Sequence, residues 1–406
     1  MVGSKTVLAF VGENENGALA VGSRELLAAM KPQGIDGHVI NLHDPQWMTE
    51  LGRLANAGIL FAFGFAGIGA GLAHVDPTMR INRNFWDTVR VPFISILADQ
   101  PSHQPRNHRV AARYVVNGYV FRDFFDLQRR LIRSPQVSVV LPQACGSNPH
   151  RDKTPWSKRT HRMVFVKSGG DPVAFRAQWA QFPARLRAIL EEASDEVLRR
   201  SAGDISELVL SCFGTHGIDA GERHELLFAV LQQVDLYVRL VRATRMAQAL
   251  CRVPAEIIGA RWDHIDKTGA KARFLPAVNA AVLPELFADT QFIVNTTPNF
   301  SAGTHERVLY GFTAKACVVS DDNEFTRRRF AAMPSYFGFD WTDPDWADRI
   351  AARCADRESY DDRMQPALDL VENEFSPAKL VQALIETAEL LRLGEGFAPL
   401  GYVDAA

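Results

Sequence analysis

The chain has 406 residues, of which 47% are hydrophobic and 23% are charged, and its formal net charge is −2. This length fits two or three domains, and the composition is typical of a globular protein with a full core. The near-neutral balance excludes binding to nucleic acid, membranes or polycations through bulk charge alone.

The five cysteines are far apart and form no CxxC pair. They therefore predict neither a zinc site nor a disulfide framework, and they favour buried thiols in a reducing cytoplasm.

The first residues lack the long apolar stretch and cleavage site of a secretory signal. The longest apolar stretch, residues 57–73, is too rich in glycine for a membrane span. We expect a cytoplasmic protein with no transmembrane segment and an unknown oligomeric state.

Short apolar strands alternate with amphipathic helices in the first part of the chain. The predicted helices include residues 23–31 and 123–132, and the predicted strands are residues 6–11, 38–42, 57–63, 93–97, 118–121 and 137–141. This alternation favours a parallel sheet that is covered on both faces. The polar segment 146–158 is typical of a linker, so we place an N-terminal Rossmann-like domain at residues 1–150.

A second alternating region follows the linker. Residues 171–202, 220–252 and 377–393 predict helices, and the predicted strands are residues 163–167, 207–213, 255–258, 292–295 and 317–320. We place a C-terminal Rossmann-like domain at 151–380 and expect the tail, 381–406, to pack back toward the N-terminal domain. Since ligands of parallel sheets lie beyond the carboxyl ends of the strands, function should lie there, facing a central cleft.

Residues 292–330 predict a strand, a polar loop, a helix and another strand. We expect Thr304 to be the N-cap of the helix, after Gly303, which gives backbone freedom. A helix start with unpaired N–H groups and partial positive charge suits a diphosphate. The alternative is an ordinary capped helix. The candidate ligands of this segment are Asn295, Thr297, Gly303, Thr304, His305 and Arg307.

This segment resembles the donor-binding segment of GT-B glycosyltransferases, closest to the CgeB-like (spore maturation protein) group. The matching residues are Asn295, Pro298, Gly303, His305, Glu306, Arg307 and Ser320-Asp321. Upstream, residues 237–262 resemble the family's Arg-rich helix and a strand that ends in Gly-x-x-Trp. The resemblance covers residues 237–330 well and the first 150 residues loosely. It implies an α/β protein of the GT-B fold, with two Rossmann-like domains facing a central cleft.

The resemblance also implies a glycosyltransferase with the nucleotide-sugar donor in the C-terminal domain and the acceptor in the N-terminal one. Cationic side chains and a helix start, rather than a metal, would hold the diphosphate. The donor is a co-substrate and no cofactor is implied; we expect a UDP-sugar rather than a GDP-sugar. Arg242 of the Arg-rich helix is the expected phosphate ligand, although such a row of arginines is usually a solvated face.

Two positions depart from the family pattern. Family members carry a glutamate that grips the ribose hydroxyls where this chain has Tyr310, and a glycine where it has Lys315. Glu306 lies one turn earlier on the same helical face, so it is our substitute for the ribose or sugar hydroxyls. The alternative role for Glu306 is simply to favour the helix N-terminus.

Two strand ends supply further candidates. Lys167 and Gly169 follow the first strand of the second domain, where a cation and a glycine suit close approach of a diphosphate.

Asp99 and His103 follow strand 93–97, near the family's Asp-x-Pro element. An inverting enzyme needs a base for the acceptor hydroxyl, for which we choose Asp99 first and His103 second. The alternative is that Asp99 caps a helix.

Two rival functions remain open at the level of sequence. A sugar-nucleotide epimerase of similar shape would bind the same nucleotide and transfer nothing. An inactive nucleotide-sugar-binding protein would fit the departures at Tyr310 and Lys315. The acceptor and the stereochemistry are not determined by the sequence.

Overall fold

The computed structural model describes residues 6–12, 17–75, 82–131, 137–356 and 358–395. Within these ranges the chain forms two parallel sheets of six strands and a short antiparallel pair. The described strands and helices are numbered in chain order below. None of these helices is long and apolar enough to cross a membrane.

The N-terminal domain is built on a sheet with the strand order β2-β1-β3-β6-β7-β8. Its strands are β1 (Thr6–Val11), β2 (Asp36–Asn41), β3 (Phe61–Phe65), β6 (Phe93–Leu97), β7 (Val115–Tyr119) and β8 (Val137–Val140), and the separate pair is β4 (Ala73–Val75) with β5 (Asn82–Asn84). Its helices are α1 (Ala18–Met30), α2 (Trp47–Ala57), α3 (Phe85–Val89) and α4 (Arg122–Leu131).

The C-terminal domain has the strand order β11-β10-β9-β12-β13-β14. Its strands are β9 (His161–Val166), β10 (Glu256–Ile258), β11 (Arg273–Leu275), β12 (Thr290–Asn295), β13 (Cys317–Asp321) and β14 (Tyr336–Phe339). The helices that follow α4 are α5 (Pro172–Ala177), α6 (Ala184–Leu198), α7 (Ser206–Thr215), α8 (His224–Leu250), α9 (Leu283–Ala288), α10 (Glu306–Thr313), α11 (Glu324–Phe330), α12 (Trp346–Ala355), α13 (Gln365–Glu374) and α14 (Pro377–Glu395).

Most of the predicted strands are present, and those at 6–11 and 93–97 have the predicted bounds. The strand predicted at 207–213 is wrong, because this segment is helix α7. Its buried residues, Ser206, Val209, Cys212 and Phe213, recur every three or four positions and pack against neighbouring helices. The short apolar run therefore follows a helical period, which a count of apolar residues does not distinguish from a buried strand.

Alternate residues of β1 show why the N-terminal sheet needs helices on both faces. Val7 and Ala9 belong to one apolar cluster, whereas Leu8 and Phe10 belong to another on the opposite face. Side chains of a strand point to opposite faces in turn, so both faces of this sheet are buried. Helix α1 covers the first face and α2 covers the second.

The last described helix, α14, belongs to the core of the N-terminal domain. Its buried residues join the cluster of Val7 and Ala9; they are Leu380, Val381, Leu384 and Ala388. The Arg392 guanidinium donates to backbone carbonyls of Ile59 and Leu60. The rest of the predicted tail, residues 396–406, lies outside the described residues.

We predict that Leu384→Ala destabilises the protein by about 2–5 kcal/mol, because it removes a fully buried side chain and leaves a cavity. Denaturant unfolding monitored by circular dichroism measures this loss. Leu393→Ala on the same helix is the matched control: Leu393 is 65% exposed, and its truncation should change stability by less than about 0.5 kcal/mol. Equal stabilities of the two variants would contradict the packing of α14.

Candidate functional site

Two adjacent cavities of about 280 and 320 Å³ lie between the domains, at the carboxyl ends of the strands. Walls of the first cavity include Lys167, Ser168, Ile258, Val278, Phe287, Arg307 and Thr313. Walls of the second cavity include Asp99, Gln100, Phe124, Asp235, Arg239, Asn299 and His305. Both cavities share Ala18, Glu25, Gly146, Glu306 and Tyr310. The two cavities therefore adjoin each other, and both domains contribute to their walls.

A buried carboxylate fixes the loop that connects β12 to α10. The Asp321 side chain accepts the backbone N–H of Thr297 at 2.6 Å and the indole N–H of Trp341 at 2.7 Å. Burial raises the pKa of Asp321, while nearby Arg242 opposes this shift. Thr297 is itself buried and lines neither cavity. Thr297 therefore anchors the loop through its hydrogen bond to Asp321.

The N-terminal domain holds the same loop from the other side of the cleft. Asp123 accepts the backbone N–H groups of Ser301 at 2.6 Å and Ala302 at 2.8 Å, as well as the Ser301 hydroxyl. Gln143 accepts the N–H of Thr304 at 3.0 Å and donates to its carbonyl oxygen. These hydrogen bonds cross the cleft and tie the loop to both sheets.

Close packing, rather than backbone freedom, requires glycine at position 303. A Cβ atom at this position would lie 2.5 Å from the ring of Phe121. That ring stacks on Phe300 with the centroids 4.0 Å apart. Because such a contact is too short for any side chain, the phenylalanine pair requires glycine here.

Helix α10 begins one residue later than predicted, with His305 rather than Thr304 as the N-cap. The Nδ1 atom of His305 accepts the backbone N–H of Arg307 at 3.1 Å. Thr304 is fully buried, and its hydroxyl has no hydrogen-bond partner among the described residues. Burial and the nearby cations Arg307 and Lys167 hold the pKa of His305 well below its usual range. The ring is therefore neutral, with its hydrogen on Nε2.

Two cations stand at this helix start without a carboxylate partner among the described residues. The Arg307 guanidinium donates to the side-chain oxygen of Asn295 at 2.8 Å, and Asn295 donates to the hydroxyl of Ser320. Lys167 lies on the wall of the same cavity. Burial, Arg239 and Arg307 together lower the pKa of Lys167 to about 7. The positive charge is thus concentrated and poorly compensated, as an anion site requires.

A second group of charges surrounds Asp235, which is buried in α8. Its carboxylate contacts His103 Nε2 at 2.6 Å, Asn299 Nδ2 at 2.8 Å and Arg239 Nη1 at 3.2 Å. Burial alone would raise the pKa of Asp235, but Arg239, His103 and Asn299 together hold it below its usual range. This carboxylate therefore joins the N-terminal domain, through His103, to the C-terminal one.

The two predicted catalytic residues occupy different positions. Asp99 is exposed, lines the second cavity and lies in a bend after β6; it caps no helix, because the next helical turn begins at Asn107. Its charge acts on Arg239 across the cavity. His103 lines neither cavity, and its Nε2 is engaged by Asp235. Of the two, Asp99 is the one that an acceptor in the cleft could reach.

Arg242 does not lie where the prediction placed it. Its guanidinium is buried beside the Asn299 side chain at 3.0 Å and three backbone carbonyls near the end of α6, and it lines neither cavity. Arg239, one turn earlier, faces the second cavity instead. Gly169 also lies outside both cavities, because the ring of Trp262 packs directly on it. Both residues are thus structural in this arrangement.

The remaining candidates lie in the cleft. Glu306 and Tyr310 line both cavities, and Glu306 keeps 62% of its side chain exposed. Lys315, two residues after α10, has a left-handed conformation with φ 52°. It pairs with Asp152 at 2.5 Å and lines neither cavity. No group of three or more His, Cys, Asp or Glu side chains in the described ranges is arranged to hold a metal.

No protein-family model matches the sequence, and no curated protein is significantly similar to it. Among solved structures, sucrose-phosphate synthase from Thermosynechococcus elongatus superposes with a TM-score of 0.52 and 9% identity, covering 96% of this chain and 99% of that one. HepE from Anabaena, in complex with UDP-glucose, superposes with a TM-score of 0.50 and 12% identity, covering 95% and 99%. The fold is that of the GT-B glycosyltransferases.

The GT-B arrangement brings residues from distant parts of the sequence into the cleft, and three of them were not chosen from the sequence. Glu25 comes from α1, whereas Asp235 and Arg239 come from α8. The row of arginines on α8 was visible, but choosing Arg239 over Arg242 requires knowing which side of the helix packs inward. No sequence signal marked Glu25 or Asp235.

We predict that Arg242→Ala lowers the free energy of unfolding by about 3 kcal/mol, since it removes the guanidinium and leaves its buried acceptors, Asn299 Oδ1 and three backbone carbonyls, unsatisfied. Arg245→Ala is the matched control, because Arg245 is exposed on the same helix, and should cost less than about 0.5 kcal/mol. Urea unfolding of both variants checks this. Wild-type stability of Arg242→Ala would disprove the structural role.

Proposed function

We propose that this chain is a glycosyltransferase that transfers a sugar from a nucleotide-sugar, preferentially a UDP-sugar, to an acceptor of unknown class without a divalent metal. The proposal rests on one observation: Lys167 and Arg307 lie beside the start of α10, in the cleft of a GT-B fold, and neither contacts a carboxylate among the described residues. The Gly-Thr-His-Glu-Arg turn at 303–307 supports a relationship to the CgeB-like group.

The first cavity suggests how the donor binds. Its apolar side chains, which include Ile258, Val278 and Phe287, suit a nucleobase, and its cations Lys167 and Arg307 suit the diphosphate. Backbone N–H groups at the start of α10 add favourable electrostatics for phosphate. HepE, which shares this fold, has been crystallised with UDP-glucose and with UDP. The same donor class is therefore our proposal for this chain.

In the proposed reaction, the bond between the sugar C1 atom and the β-phosphate oxygen breaks while the acceptor oxygen attacks C1. Negative charge grows on the departing diphosphate, where Lys167 and Arg307 stabilise it. If the anomeric configuration inverts, Asp99 takes the proton of the acceptor hydroxyl, since it lines the second cavity. A retaining enzyme would not use Asp99 in this way.

Donor hydrolysis distinguishes this function from its two rivals. A transferase releases UDP slowly from UDP-glucose even without an acceptor. An epimerase would instead convert the sugar while the nucleotide-sugar stays intact, and an inactive binding protein would leave the compound unchanged. Chromatography of the nucleotide and sugar products after incubation separates the three outcomes.

We predict that UDP in large excess raises the melting temperature by about 5 °C in the presence of a chelator, because it binds only the folded state. Arg307→Ala should reduce this shift to less than half, since it removes a cation from the site. Arg328→Ala, an exposed arginine of α11, is the control and should keep the full shift. No shift with any nucleotide, or a shift that requires Mg²⁺, would contradict the proposal.

The lowered pKa of Lys167, about 7, predicts a pH dependence of donor binding. Above pH 7 this amine is increasingly neutral in the free protein, while a bound diphosphate favours the ammonium form and raises its pKa. Affinity for UDP should therefore fall between pH 7 and 9, approaching tenfold per pH unit, and binding at pH 8 should take up protons. Calorimetry in two buffers of different ionisation enthalpy measures the uptake.

Lys167→Met should abolish both the proton uptake and this pH dependence, whereas Lys158→Met, at an exposed position, should leave them unchanged. An undiminished pH dependence in Lys167→Met would assign the titration to another group.

A further inference from the structure

Glu25 is a carboxylate that the described residues leave unpaired in the middle of the cleft. It projects from α1 of the N-terminal domain and lines both cavities, together with Glu306 and Tyr310 of the C-terminal domain. It forms no hydrogen bond or ion pair within the described ranges. A Cβ atom at Gly146 would lie 2.9 Å from its carboxyl carbon, so the chain passes close beside the carboxyl group.

The environment of Glu25 favours neutral hydrogen-bond donors as its partners. Burial raises the pKa of this carboxyl group, because a half-buried anion without partners is poorly stabilised. A diphosphate would repel it, and the phosphate-binding cations Lys167 and Arg307 make no contact with it. Hydroxyl groups are uncharged hydrogen-bond donors. In dinucleotide-binding folds, a carboxylate accepts hydrogen bonds from the hydroxyls of a ribose.

We propose that Glu25 binds a vicinal diol of the nucleotide-sugar from the N-terminal side of the cleft. This inference rests on the proposed function. The donor carries such groups both on the ribose, as the 2′,3′ pair, and on the sugar that is transferred, and each offers two neutral hydroxyl donors to a carboxylate. Glu25 lies where the two cavities meet, so the donor would be held between the two domains rather than by the C-terminal domain alone.

The test is a comparison of dissociation constants for UDP, 2′-deoxy-UDP and UDP-glucose, measured by calorimetry with wild-type protein and with Glu25→Ala. If Glu25 binds the ribose, the wild type prefers UDP over 2′-deoxy-UDP by about tenfold and the variant by less than about twofold. If it binds the transferred sugar, the variant keeps that preference, but its affinity for UDP-glucose relative to UDP falls by about tenfold.

Two further variants keep the experiment decisive. Glu25→Gln retains the size of the side chain and should lose most of the discrimination, because a neutral amide is a weaker acceptor than a carboxylate. Glu50→Ala removes an exposed glutamate of the same domain and should bind all three compounds like the wild type. Each variant should melt within about 2 °C of the wild type, since no folded-state partner of Glu25 is lost.

Unchanged ratios in Glu25→Ala, for both pairs of compounds, would overturn the role of Glu25 while leaving the proposed function intact. Failure of the wild type to bind UDP and UDP-glucose would instead remove the proposed function, and this inference with it. A loss of UDP-glucose hydrolysis in Glu25→Ala with all three affinities unchanged would assign Glu25 to proton transfer and would also overturn diol binding.

Discussion

Carboxylates on both sides of the loop at residues 296–305 determine the geometry of the whole cleft. Asp321 fixes the start of the loop from its own domain, and Asp123 fixes its middle from the other domain. Backbone N–H groups that point at a carboxylate have little freedom, because these charge-assisted hydrogen bonds are short and directional. The position of α10, and with it that of His305 and Arg307, follows from these two anchors.

The same arrangement explains why the cleft remains positive where the loop meets the helix. Arg307 is oriented by the neutral amide of Asn295, which holds the guanidinium without cancelling its charge. Arg239, in contrast, shares Asp235 with His103, so much of its charge is balanced. The chain thus separates an ion-paired cation on the second cavity from cations on the first that contact no carboxylate among the described residues. An anionic ligand is therefore favoured beside Lys167 and Arg307.

The sequence predicts the elements of this fold better than it predicts the orientation of individual side chains. Strands β1 and β6 and the order of strand, loop and helix after Phe292 follow from apolar runs and from glycine, which act locally. The choice between Arg239 and Arg242 depends on the rotation of α8 against its neighbours, which tertiary packing sets. Helix α7 shows the same limit. Its short apolar run is compatible with a buried strand as well as with a helix, and only its packing against neighbouring helices distinguishes the two.

Neither the N-cap of α10 nor the place of Glu25 in the cleft could be predicted from the neighbouring sequence. The reasons differ. Thr304 is the better intrinsic cap, but Gln143 of the other domain takes its backbone groups, so that His305 becomes the cap. Glu25 is separated from the loop by more than half of the chain, and only the closure of the two domains brings them together.

The position of α14 has a consequence for how this protein is made. The 19 residues of α14 follow all strands of the C-terminal sheet along the chain, yet they cover the face of the sheet to which β1 contributes Val7 and Ala9. Domains usually fold in the order of their synthesis. Here the first domain to emerge exposes an apolar surface until α14 has been synthesised, so its core closes only after the strands of the second domain have emerged.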